Sequence, residues 1–149
     1  MTFKSHMQAA LEEAHAAGER GEVPVGAVLV DAQGAIVARA GNRTRELNDP
    51  TAHAEILVIR AACAKAQSER LPECDLYVTL EPCAMCATAM SAARIKRVYY
   101  AAADAKSGGV AHGARVFSHA QCHHVPEVYD GIGARAAEEI LKAFFKARR

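Results

Sequence analysis

Apolar positions along the chain change their period several times, and each change marks an element. Met7, Ala10, Leu11 and Ala14 recur at helical spacing and predict an opening helix that stops near Gly18 and Gly21. Val23 to Val30 and Ala35 to Ala40 then form the two strands of a hairpin turned about Asp31-Ala32-Gln33-Gly34. A helix from His53 to Gln67, a strand from Leu76 to Leu80, a helix from Cys83 to Ala93 and a strand from Arg97 to Ala101 follow. Alternation of this kind predicts parallel pairing in a sheet covered by helices on both faces. A fifth strand near His124 to Tyr129 belongs at an edge, because Pro126 has no N–H to give to a ladder. The last helix runs from about Gly133 to Arg148. The expected fold is α/β: three layers around a mixed five-stranded sheet.

Composition adds bounds to this picture. The 149 residues contain no repeat, low-complexity tract or linker, so residues 1–149 are expected to form one domain. A chain of this size removes roughly 68 to 70% of its unfolded surface from water, enough for a self-sufficient core. Met1 to His6 contains no apolar leader core and no stretch reaches membrane-spanning length, so a cytoplasmic protein is expected. Of five cysteines, Cys63, Cys74 and Cys122 are expected to be small buried apolar side chains rather than disulfide partners. A net charge of +1 gives no global sign of nucleic-acid binding. Any phosphate contact has to come from local groups: Arg43 and Arg45, Arg94 with Lys96 and Arg97, Lys106, or the tail from Lys142 to Arg149.

The chemistry is concentrated in two short segments, His53-Ala54-Glu55 and Pro82-Cys83-Ala84-Met85-Cys86. Imidazole and thiolates are preferred zinc ligands, and three of them leave the fourth tetrahedral position for water. Cys83 and Cys86, three apart, share one face of a helix that starts at Pro82, where the helix end helps thiolates to form. Glu55 is two positions from His53, roughly 200° around a helix, so both face one ion only if that ion lies off the helix end. His53 is therefore placed at a helix start, and two helix N-termini converge on one zinc per chain. Glu55 beside this ion is the proton carrier. A structural site closed by Cys74 or Cys122 is the competing use of these ligands, but it has no need of a carboxylate beside the histidine. His112, His119, His123 and His124 lie in a poorly periodic stretch and are expected to be loop residues rather than a second metal site.

The spacing H-x-E…P-C-x-x-C is the signature of zinc nucleobase deaminases. Glu22 to Val30, Asn42-Arg43, Asp49 to Glu55, Leu76 to Cys83 and Asp104 to Gly108 extend the likeness over nearly the whole chain. The sequence resembles the bacterial tRNA-specific adenosine deaminases of the cytidine/deoxycytidylate deaminase superfamily. The resemblance implies a cytidine-deaminase-like fold, zinc on His53, Cys83 and Cys86, and Glu55 as proton shuttle. It implies that Asn42 and the Ala54 backbone contact the flipped base and that Val25 forms an apolar wall. It places Asp104 and Lys106 in a loop approaching the substrate strand, and Phe144, Phe145, Arg148 and Arg149 in a C-terminal helix that contacts RNA. The expected partners are a tRNA anticodon stem-loop and a second copy of the chain, with no membrane. His123 stands where the family usually has asparagine, which alters one local RNA contact.

The implied reaction is hydrolytic deamination of adenosine to inosine at the first anticodon position. The zinc signature by itself fits deaminases of a free base or nucleoside, guanine or cytosine, equally well. Only the surrounding segments favour adenosine in tRNA.

Overall fold

The structure is a computed structural model and describes residues 3–148. In chain order it comprises α1 (Met7–Glu19), β1 (Gly26–Val30), β2 (Ile36–Gly41), α2 (Ala54–Ala66), β3 (Asp75–Leu80), α3 (Ala84–Ala92), β4 (Arg97–Ala102), a short 3-10 turn (Val116–Ser118), β5 (Glu127–Asp130) and α4 (Ala134–Ala147). The strands form one sheet in the order β2-β1-β3-β4-β5. β1 is antiparallel to both β2 and β3, whereas β3, β4 and β5 are parallel. The sheet is thus mixed, as expected.

Alternation along the strands builds two cores. Ala27, Leu29, Leu76, Val78, Val98 and Tyr100 pack with α2 and α3 on one face. Val28, Val30, Tyr77, Tyr99 and Ala101 pack with α1 and α4 on the other. This is the two-residue period of a pleated strand buried on both sides. On the second face the register aligns Tyr77, Tyr99 and Tyr129. Their rings stack at centroid distances of 4.4 and 5.2 Å, each pair contributing about 0.5–1.5 kcal/mol beyond its buried area.

Two boundaries differ from the sequence reading by more than one residue. The first strand begins at Gly26 rather than Val23, because Val23 to Val25 close a tight turn in which the Val25 N–H donates to the Val23 carbonyl. The last strand begins at Glu127, after Pro126, and not at His124. His124 is drawn off the ladder: its Nε2 lies 2.6 Å from the Ile95 carbonyl and its own carbonyl accepts from Ser91 Oγ. β5 is nevertheless the edge strand that Pro126 implied.

α1 lies so close to β1 that only hydrogen fits at Gly26, where a Cβ would stand 2.1 Å from the Ala10 carbonyl oxygen and 2.4 Å from the Ala14 nitrogen. Gly34, in the hairpin, has open space but a φ of +83°. Gly26→Ala should therefore lower stability by about 3 kcal/mol or more in urea unfolding, through forced overpacking. Gly34→Ala should cost only about 1 kcal/mol, the penalty for a side chain in left-handed backbone. Equal losses would contradict the backbone contact.

Candidate metal centre and base pocket

His53 is the N-cap of α2, with φ −70° and ψ 152°, and Cys83 is the N-cap of α3, with φ −72° and ψ 173°. Both are extended, so their side chains leave the helix axis at its start and meet across the gap. His53 Nδ1 lies 3.6 Å from Cys83 Sγ and 3.5 Å from Cys86 Sγ. The three ligand atoms fall within 4.8 Å of one another, the one such group among the described residues. Two thiol sulfurs and an imidazole nitrogen at this spacing fit tetrahedral zinc with one position left over. Cys74 does not supply a fourth ligand, and Cys122 bonds instead toward the His124 carbonyl and Ser91.

Electrostatics suit the donor set. The hydrogen bond from Cys86 draws the Cys83 thiol down to about 4, with His53 adding to the effect. The same contact with Cys83, together with burial, pushes Cys86 up, and the bond to Cys83 raises His53. One proton therefore leaves the thiol pair readily, and the remainder is displaced when a divalent cation binds. Glu55, in the first turn of α2, is only 4% exposed. Burial raises its carboxyl above the usual range, which suits a group that must both hold and release a proton.

A cleft of about 240 Å³ opens onto these groups and is lined by Val25, Asn42, His53, Glu55, Cys83 and Asp104, among others. Sequence-expected residues from five separate segments thus meet in one pocket. Asn42 Oδ1 accepts the Ala54 N–H at 2.9 Å, so these two residues form a single unit rather than two independent base contacts. The bond satisfies one of the unpaired N–H groups at the start of α2 and fixes the amide, leaving its NH2 for a partner.

Beyond Asp104 the cleft continues as a furrow of about 530 Å³, where Lys106 and Ser107 face Leu141 and Phe145. Phe145 is 49% exposed. Phe144 is not in the furrow: it meets Phe145 edge to face and lines a separate apolar groove of about 540 Å³ between α1 and α4. The Arg148 guanidinium stands 3.5 Å from the Phe144 ring centre and donates to the Phe144 carbonyl. Arg149 lies outside the described residues. Of the other basic candidates, Arg43 pairs with Glu46, Lys96 with Glu73, and Arg97 with Asp75 and Glu127. The loop histidines go separate ways, His112 to Glu81, His119 to the Ala114 carbonyl and His124 to Ile95.

Two residues of the rim were not singled out from sequence, and both are buried carboxylates. Glu22 accepts from the N–H groups of Arg45 and Glu46 and from Thr44 Oγ1, holding the loop that follows Asn42. Glu81 accepts from the N–H groups of Asp104, Val110, Ala111 and His112. Burial alone would raise the Glu81 carboxyl, but these donors and the His112 ring outweigh it and hold it below the usual range. The available signal was an acidic residue at the edge of an apolar stretch, Glu22-Val23-Pro24-Val25 and Leu80-Glu81-Pro82, where a charge must find partners.

A three-layer α/β/α fold with a His-Cys-Cys donor set at two helix starts and a buried glutamate beside it defines a zinc-dependent deaminase. The family model for the cytidine and deoxycytidylate deaminase zinc-binding region matches residues 2–102. A tRNA-specific adenosine deaminase from Agrobacterium fabrum is 59% identical over the full chain and 98% of its own length. A solved structure from work on A-to-I editing by tRNA:A34 deaminases at the wobble position of transfer RNA superposes with a TM-score of 0.89. It is 61% identical over 91% of this chain and 97% of that one. A solved guanine deaminase from Bacillus subtilis is 41% identical but covers 69% of this chain and 66% of its own, with a TM-score of 0.65. The chain belongs to the tRNA-specific adenosine deaminases.

The purified protein should carry one zinc per chain, and Cys83→Ala or Cys86→Ala should lose both zinc and activity. Elemental analysis of the variants checks this. Full zinc content in either one would remove that cysteine from the ligand set.

Proposed function

We propose that this protein hydrolyses adenosine to inosine at the wobble position of tRNA, with His53, Cys83 and Cys86 holding the metal and Glu55 moving the protons. The observation that carries this reading is the buried Glu55 carboxyl in the same cleft as the three ligands and Asn42. When bound, zinc supplies a Lewis acid that lowers the pKa of a water and stabilises developing negative charge. Glu55 takes one proton from the attacking water and hands it to ring nitrogen 1. It delivers the second to the departing amine, so that ammonia leaves as the oxygen of water joins carbon 6.

The remaining residues select and hold the substrate. The Asn42–Ala54 unit offers its amide NH2 to the base edge, and Val25 supplies an apolar wall. The target base is flipped from its stack into the pocket. The strand beside it follows the furrow, where Phe145 offers an exposed ring for stacking and Lys106 a charge for phosphate. Phe144 and Arg148 support this helix end from behind. Ala84, Thr88 and Ala92, exposed along the outer side of α3, are short enough to let a second copy approach closely, and the working unit is a homodimer binding an anticodon stem-loop. No helix among the described residues is long and apolar enough to cross a membrane, in keeping with action on tRNA in the cytoplasm.

Deamination of a free base is the second reading, favoured by the metal centre common to guanine deaminases. Inosine formation in tRNA, set against ammonia release from free guanine and cytosine, separates the two. Tenfold or greater preference for the free base would overturn the tRNA assignment. Glu55→Gln keeps the side-chain shape but cannot shuttle protons, so zinc content and tRNA binding should persist while turnover falls about a hundredfold to ten-thousandfold. Near wild-type turnover in this variant would exclude Glu55 as the proton carrier.

The two phenylalanines separate stacking from packing. Phe145→Ala should weaken tRNA binding about tenfold, in line with about 1–3 kcal/mol per stacked base, with little change in melting temperature. Phe144→Ala should chiefly lower the melting temperature. The reverse pattern in a binding titration and a thermal melt would exchange their roles.

A further inference from the structure

Loop 104–112 lines both the metal cleft, through Asp104, and the furrow, through Asp104, Lys106 and Ser107, and it contains little apolar material of its own. Val110 packs against the core, and most of the loop's polar contacts to the rest of the protein go to one residue. Glu81 Oε1 accepts the Asp104 N–H at 3.0 Å and lies 2.7 Å from His112 Nδ1. Glu81 Oε2 accepts the N–H groups of Val110, Ala111 and His112 at 3.1, 2.9 and 3.1 Å. Both ends of the loop are thus tied to the two oxygens of one carboxylate, whose side chain is fully shielded from solvent.

The same loop is pressed against the turn that carries Cys83. The Gly109 N–H donates to the Pro82 carbonyl at 2.7 Å, and a Cβ at Gly109 would stand 2.5 Å from the Ala84 nitrogen. A Cβ at Gly108 would stand 2.5 Å from both the Asp104 carbonyl oxygen and the Glu81 carboxylate. The chain is therefore folded down onto Glu81 with room only for hydrogen. Asp104 Oδ1 in turn accepts from the N–H groups of Lys106 and Ser107, so Asp104 and Lys106 move as one piece.

We propose that Glu81 is a positioning residue for the substrate: it fastens loop 104–112 to the metal-binding turn and so sets where Asp104 and Lys106 stand beside the base pocket. This rests on the reading of the cleft and furrow as the tRNA site. The carboxylate acts through the loop, without touching substrate, and His112 completes its set of donors. A carboxylate is the side chain suited to this position, since all five surrounding groups donate and a carboxamide would turn an NH2 toward some of them.

Two variants and two kinds of measurement test the assignment. Glu81→Gln should keep one zinc per chain, raise the KM for tRNA about tenfold with kcat changed less than about threefold, and speed amide exchange at Asp104, Val110, Ala111 and His112. His112→Ala leaves the carboxylate and its backbone donors in place and should give the same pattern at about a threefold rise in KM. Unchanged KM and unchanged exchange in His112→Ala would overturn the proposal, and that variant alone decides if Glu81→Gln does not fold. Zinc loss from a folded Glu81→Gln would also overturn it, because Glu81 would then serve the ligands rather than the loop. If the wild type formed no inosine in tRNA, the proposed function would fail instead, while the exchange rates would still report whether Glu81 holds the loop.

Discussion

Everything in this protein is arranged around the meeting of two helix N-termini. Neither α2 nor α3 alone can surround an ion, because residues on a helix diverge by about 100° per position. The extended backbone at His53 and Cys83 removes that restriction by placing each residue just before its helix begins. His53 and Glu55 can then face the same point, and Cys86 reaches it from the first turn of α3. The unpaired N–H groups and the positive ends of both helix dipoles point toward the site, where they favour the thiolates that a divalent metal requires. The sheet keeps the two ends in place: α3 begins just beyond the carboxyl end of β3, and the loop that lines the cleft begins just beyond β4. This is the usual location of a binding crevice in an α/β sheet.

Around this centre, beside the apolar Val23, Val25 and Leu80, two segments of the rim are fastened by buried carboxylates. Glu22 and Glu81 each accept backbone N–H groups from the segment they hold. Hydrogen bonds to a buried charge are stronger than neutral ones, and losing a partner leaves a costly uncompensated group. These two segments are therefore held firmly without the bulk that further apolar side chains would bring into the pocket. Asn42 follows the same logic at smaller scale, since one bond both completes α2 and orients the amide.

This division of labour explains how one metal centre serves deaminases of different bases. In the proposed reaction the proton transfers need only a buried carboxyl beside the ligands, and nothing in that requirement distinguishes adenine from guanine. In the proposed function, discrimination belongs to the pocket rim and furrow, where a mismatched base would leave the Asn42 amide without its partner. A net charge of +1 leaves any RNA contact to local groups, and of the basic candidates Arg43, Lys96 and Arg97 are already paired with acidic neighbours.

The grouping of His53, Cys83 and Cys86, the two helix starts and the mixed five-stranded sheet were legible in the sequence by itself. They depend on interactions within a few residues or on the regular period of the elements, and both leave a local trace. The late start of β5 was not, because His124 is held away from the ladder by Ser91 and Ile95, which lie 33 and 29 positions earlier. The union of Asn42 with Ala54 spans 12 positions, and the hold of Glu81 on Ala111 spans 30. Adjacent positions on α4 already point Phe144 and Phe145 about 100° apart, but which ring meets the groove against α1 and which the furrow depends on the surfaces next to α4. Tertiary structure alone decided these features, because each is a contact between segments whose separation along the chain carries no period or spacing that could announce it.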